Sequence, residues 1–182
     1  IIQASTFLGA KTSAGSFTYY RDGSTSNPVS YIYSKDINND GVDEVFFVAF
    51  ETQPNTQANY SNTSIHIFGW ENSVFKEITS NWLPGTSNQV EGVGDLVFGD
   101  FNGDGKIDVF LSAYTDMDFD VNAYALMNTG SSFNKVSLGP ARWQHAVASA
   151  DINLDGYDDV IVAGYSNFPQ YMGSSTGLLN YS

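Results

Sequence analysis

Apolar and polar positions along the chain either alternate or gather into short runs, and both patterns belong to strands. Val29 to Ser34 alternates, as a half-buried strand does. Val45-Phe46-Phe47-Val48-Ala49-Phe50 is a continuous apolar run of the length expected for a strand buried on both faces. Ser64 to Trp70 and Val74 to Ile78 then form a hairpin around Glu71-Asn72-Ser73. The order recurs: Asp95 to Gly99, Val109 to Ala113, then Tyr124 to Met127 with Phe133 to Leu138 across Asn128 to Ser132. It starts a third time with His145 to Ala150 and Val160 to Tyr165, followed by a last hairpin across Gly173 to Gly177. Upstream, Thr6-Phe7-Leu8 and Phe17 to Tyr20, around Ala14-Gly15-Ser16, predict an amino-terminal hairpin. No stretch has a helical period, so the expected fold is all-β.

Polar stretches separate these runs. Residues 51–63 read as a loop, and residues 80–94 as a Gly, Pro, Asn and Ser linker that contains Trp82. Thr115 to Val121 is an acidic excursion. Its Asp116, Asp118 and Asp120 alternate, which suits an exposed segment better than a further cation site.

One motif stands between strands three times. Its copies are Asp36-Ile37-Asn38-Asn39-Asp40-Gly41-Val42-Asp43-Glu44, Asp100-Phe101-Asn102-Gly103-Asp104-Gly105-Lys106-Ile107-Asp108 and Asp151-Ile152-Asn153-Leu154-Asp155-Gly156-Tyr157-Asp158-Asp159. The common pattern is DxNxDGxx followed by an acid. Oxygen-bearing side chains at alternate positions turn inward in such a loop, and glycine allows the bend that lets the seventh residue offer its carbonyl. Calcium takes six to eight such oxygens, whereas magnesium demands a tighter octahedron. The expected ligands are therefore Asp36, Asn38, Asp40, the carbonyl of Val42, and Glu44 in the first loop. The second loop has Asp100, Asn102, Asp104, the carbonyl of Lys106, and Asp108; the third has Asp151, Asn153, Asp155, the carbonyl of Tyr157, and Asp159. Up to three Ca2+ ions are expected. Glu44 departs from the pattern by one methylene. A single copy of the motif can equally be an Asx-turn, in which side chains cap backbone amides; three copies between strands favour the ion.

The loops open at positions 36, 100 and 151, a period of roughly 50 to 65 residues, which signals repeated four-stranded units such as propeller blades. With their flanks, as in Val97-Phe98-Gly99-Asp100 and Ala148-Ser149-Ala150-Asp151, they resemble FG-GAP or VCBS repeats, the blades of integrin-alpha-like β-propellers. The resemblance implies β-propeller-type blades: three four-stranded units plus an amino-terminal hairpin, forming part of a larger propeller or assembly. The expected division is residues 1–28 for the hairpin completing a blade, and residues 29–79, 80–139 and 140–182 for blades holding the first, second and third loops. The same blade occurs in adhesins, lectins, polysaccharide lyases and surface proteins.

Charge sharpens the choice of partner. Seven Lys and Arg face 20 Asp and Glu, a net charge of −13, which disfavours nucleic acid and anionic membrane surfaces. Eleven of those acids lie within the three loops: Asp36, Asp40, Asp43, Glu44, Asp100, Asp104, Asp108, Asp151, Asp155, Asp158 and Asp159. Cysteine is absent, which excludes disulfides and thiolate metal sites. No apolar run is long enough for a membrane-spanning helix.

Other residues carry weaker signals. His66 and His145 are distant in sequence and read as strand packing or surface positions. No GxSxG, HExxH or phosphate-cradling motif is present, so an enzyme is not expected. Trp70, Trp82 and Trp143 would stack on sugars or, as is favoured, fill the space between blades. Asn59, Asn62 and Asn180 begin N-x-Ser/Thr sequons. The expected function is an extracellular, secreted or cell-surface, calcium-stabilised binding or adhesion module that recognises a glycan or a protein. The alternatives are a subunit of a surface filament or layer, completed by self-assembly with neighbouring chains, and a fragment of a secreted polysaccharide lyase.

Overall fold

The computed structural model describes residues 28–51, 63–115, 119–141, 143–164 and 170–181. The expected amino-terminal hairpin, Asn59, Asn62, and Asp116 with Asp118 lie outside them.

Three antiparallel sheets follow one another along the chain. The first contains β1 (Pro28–Lys35), β2 (Glu44–Glu51), β3 (Thr63–Glu71) and β4 (Val74–Glu77), neighbours in chain order, with β5 (Gln89–Val90) pairing the start of β3. The second is β6 (Val93–Gly99), β7 (Asp108–Ala113), β8 (Val121–Asn128) and β9 (Phe133–Ala141). The third is β10 (Gln144–Ala150), β11 (Asp159–Gly164), β12 (Gln170–Met172) and β13 (Leu179–Tyr181). Each sheet is thus an up-and-down meander like a propeller blade.

Strand alternation builds the two cores. Phe46, Val48, Ile65 and Ile67 of the first sheet meet Val109, Leu111 and Leu126 of the second. From its other face the second sheet sends Phe110, Ala123 and Ala125 against Val160, Val162 and Tyr171 of the third. Both faces of β7 are therefore covered, which is why its whole run is buried and apolar except at its acidic start and Ser112.

The linker expected over residues 80–94 is a correction. It holds one turn of helix, α1 (Thr79–Trp82), and strand β5. Four residues cannot show a helical period. The turn is held instead by tertiary contacts: Thr79 Oγ1 accepts the Ile67 amide at 2.8 Å, and Trp82 is buried with its ring 5.2 Å from that of Phe133. Trp82 thus fills the space between the first two sheets, whereas Trp70, 57% exposed, lies at the β3–β4 hairpin.

The first strands of the three sheets meet at Asp95 on β6. One carboxylate oxygen accepts the Tyr33 hydroxyl of β1 at 2.6 Å and the Leu96 amide at 2.8 Å, while the other accepts the Val147 amide of β10 at 3.2 Å. One side chain therefore ties all three sheets together. Burial, then the hydrogen bond to Asp95, raises the Tyr33 pKa well above the ordinary phenol range.

Candidate metal centre

All three acidic loops connect the first strand of a sheet to the second: β1 to β2, β6 to β7, and β10 to β11. Their backbones repeat. The fourth position is left-handed in every copy, with φ of 59° at Asn39, 70° at Gly103 and 63° at Leu154; the sixth is left-handed too, at Gly41, Gly105 and Gly156. Glycine meets that requirement without strain, and asparagine meets it better than leucine does.

The side chains repeat as well. Asp36 accepts the amides of Asp40 and Gly41 at 3.2 and 2.8 Å, Asn38 accepts that of Asp40 at 2.9 Å, and Asp40 accepts that of Val42 at 2.9 Å. Asp100, Asn102 and Asp104 do the same for Asp104, Gly105 and Lys106. Asp151, Asn153 and Asp155 do it for Asp155, Gly156 and Tyr157. Residues at positions one, three and five thus form overlapping Asx turns that place three oxygen-bearing side chains along each loop. Among the described residues no group of three or more His, Cys, Asp or Glu side chains is drawn together around a single point.

The closing acids behave differently. Asp108 is fully buried; one oxygen accepts the Phe101 amide at 3.1 Å and the other the Asn128 amide at 2.7 Å. Asp159 repeats this with Ile152 at 3.1 Å and Gly173 at 2.8 Å. Each of these acids joins its own loop to a residue at an end of the third strand of its sheet or just beyond it. Glu44 likewise accepts the Ile37 amide at 3.1 Å, and its second oxygen takes the Asn38 side-chain amide at 3.0 Å. Its extra methylene fits because Gly69 stands on the neighbouring strand: a Cβ there would lie 3.2 Å from Glu44 Cγ and 2.7 Å from Ile78 Cδ1. A glycine inside a strand was the sequence signal for that close approach.

Electrostatics follow burial. Asp108 is pushed up to about 6, first by burial and then by the Asp104 and Asp100 charges, against the pull of its two amides. Glu44 is raised for the same leading reason. At Asp36 desolvation works upward, but the loop amides outweigh it and hold the carboxyl below its usual value. At Asp104, too, desolvation is outweighed, here by hydrogen bonds that include the Lys106 ammonium, 2.8 Å away.

Adjacent loops are joined. Asp158 accepts the Asp100 amide at 2.9 Å and returns its own amide to the Asp100 carbonyl at 2.9 Å. Asn128 donates to the carbonyls of Ile37 and Ile107 at 2.8 and 3.0 Å, linking the first loop to the second sheet.

A file of meander sheets, each with an acidic turn between its first two strands, defines a blade-repeat protein. The model of the FG-GAP-like repeat matches residues 36–111 and again 100–162, so the second loop closes one match and opens the other. The chain belongs to the FG-GAP-like repeat family. No curated protein matches it.

Proposed function

We propose that the chain is a calcium-stabilised, β-propeller-type module that works outside the cell by binding a glycan or a protein at a cell surface. The observation that supports this is the triple repetition of one loop backbone carrying an all-oxygen donor set. That chemistry fits a hard cation and excludes the soft ligands of zinc or copper sites. Asp36, Asn38, Asp40, the Val42 carbonyl and Glu44 would hold the ion in the first loop, with their counterparts in the other two. A bound cation neutralises like charges crowded into a short turn. The role is architectural, because each loop joins two strands of one sheet. Calorimetric titration of the chelated chain with Ca2+, followed by melting with and without chelator, tests the reading. At a hundred times its dissociation constant each ion adds about 2.7 kcal/mol, so flat isotherms and unchanged melting would refute it. Glycan arrays with and without Ca2+ test the partner.

A second reading has its own support. The outer face of the third sheet exposes Ile161 (41%) and Leu179 (51%) beside exposed Ala146, Ala148 and Ala163. The corresponding apolar faces of the other sheets are covered, so this face suits a further blade or a neighbouring chain. Light scattering across a concentration series distinguishes self-assembly from a stable monomer.

A further inference from the structure

Strand alternation places Ser64, His66, Phe68 and Trp70 of β3 on one face of the first sheet, opposite the face that feeds the core. On β4, Glu77 pairs across from Phe68 and so sits diagonally beside His66. Ser64 Oγ lies 2.9 Å from His66 Nε2, and His66 Nδ1 lies 2.7 Å from Glu77 Oε1. Glu77 is itself steadied by the Thr79 hydroxyl at 2.8 Å, while Thr79 is fixed by the Ile67 amide. His66 is buried and packs against Phe47, with ring centroids 6.3 Å apart, whereas Ser64 is half-buried. A nucleophile within reach of a base, and a base oriented by a third group, is the arrangement that activates a serine.

We propose that Ser64 is an activated nucleophile that accepts an acyl group from a small activated ester, with His66 as base and Glu77 as positioning residue. This centre is separate from the acidic loops and independent of the ions they would hold. Ser64 Oγ attacks the ester carbonyl carbon as its proton passes to His66 Nε2. The new Oγ–C bond forms, the ester C–O bond breaks, and the alcohol or phenol leaves with the proton from His66. Water then repeats the sequence, and the carboxylic acid departs. Half-burial of Ser64 restricts the donor to small acyl or aryl esters. A cavity of about 330 Å³ lined by Glu77, Thr79, Ser80, Leu83, Gly85 and Asn88 reaches the relay at its acid end only. Ser64 itself keeps partial exposure, and the donor reaches its hydroxyl there.

The full chain incubated with p-nitrophenyl acetate, and separately with a fluorophosphonate, provides the test through nitrophenolate release and peptide mapping by mass. The expected result is a single adduct on Ser64, absent from Ser64→Ala. His66→Gln should slow its formation by about a hundredfold. Glu77→Gln should slow it by about tenfold or more without moving the adduct or lowering the melting temperature, and Glu77→Asp should recover part of the rate. No adduct on the wild-type chain, or adducts scattered over other hydroxyls and amines, overturns the proposal without reliance on any variant. A rate unchanged in a folded His66→Gln overturns it too.

Discussion

Replacing Tyr33 by Phe removes one hydroxyl and keeps the ring, so it isolates the bond between the first sheet and the Asp95 carboxylate. That bond is short, 2.6 Å, and partly buried. Hydrogen bonds to charged groups contribute about 1.5 to 3 kcal/mol, and Phe leaves one carboxylate lone pair without its donor. A loss of about 2 kcal/mol is expected, equivalent to roughly 4 to 8 °C in melting temperature for a chain of this size. Asp95→Ala should cost more, because it also strips the acceptor from the Val147 amide of the third sheet. In a double-mutant cycle by urea unfolding, the double variant should lose less than the two single losses combined, with a coupling of about 1.5 kcal/mol or more. Coupling below about 0.5 kcal/mol would show that Asp95 does not depend on Tyr33, and the account of a three-sheet tie would fail.

Leu154 occupies a left-handed position while 87% exposed, so Leu154→Gly or Leu154→Asn should stabilise the chain by about 1 kcal/mol in thermal melts. Gly69→Ala should cost about 1 to 3 kcal/mol through the clash with Ile78 and Glu44, and Glu44→Asp in that background should recover part of it. Asp108 has a folded-state pKa, about 6, above its unfolded value, so the folded chain binds the extra proton. Its contribution is therefore present at acid pH and lost as pH rises through about 6, a change on the order of 3 kcal/mol. In chelator, the stability difference between wild type and Asp108→Asn should shift against wild type from about pH 4 to 7, most of it between about 4 and 6; a constant difference refutes this. Carboxyls held below their usual values, such as Asp36, act in the opposite sense and cancel in that comparison.

The strands and loops were legible because their signals are local. Alternation at Val29 to Ser34 and the continuous run of Val45 to Phe50 report burial directly, and DxNxDG reports a turn wherever it occurs. What escaped depends on partners far along the chain. Asp95 looks like any acid entering a loop, and its hydrogen-bond partners lie 62 and 52 residues away. Ser64 and His66 share a strand face by simple alternation, but nothing local marks Glu77 as the acid that would orient the ring. In the same way nothing local marks the buried amides of Asn128 and Gly173 that meet the closing acids Asp108 and Asp159, because they come from the third strand or just beyond it.

The exchange of hydrogen bonds between Asp158 and Asp100 has a kinetic consequence. An amide exchanges with solvent only when its acceptor lets go, and the Asp100 amide is held by a residue of the next turn. Opening the third turn therefore deprotects a proton in the second. Exchange at that one amide reports the loosening of its neighbour, so the second and third turns open as a correlated pair.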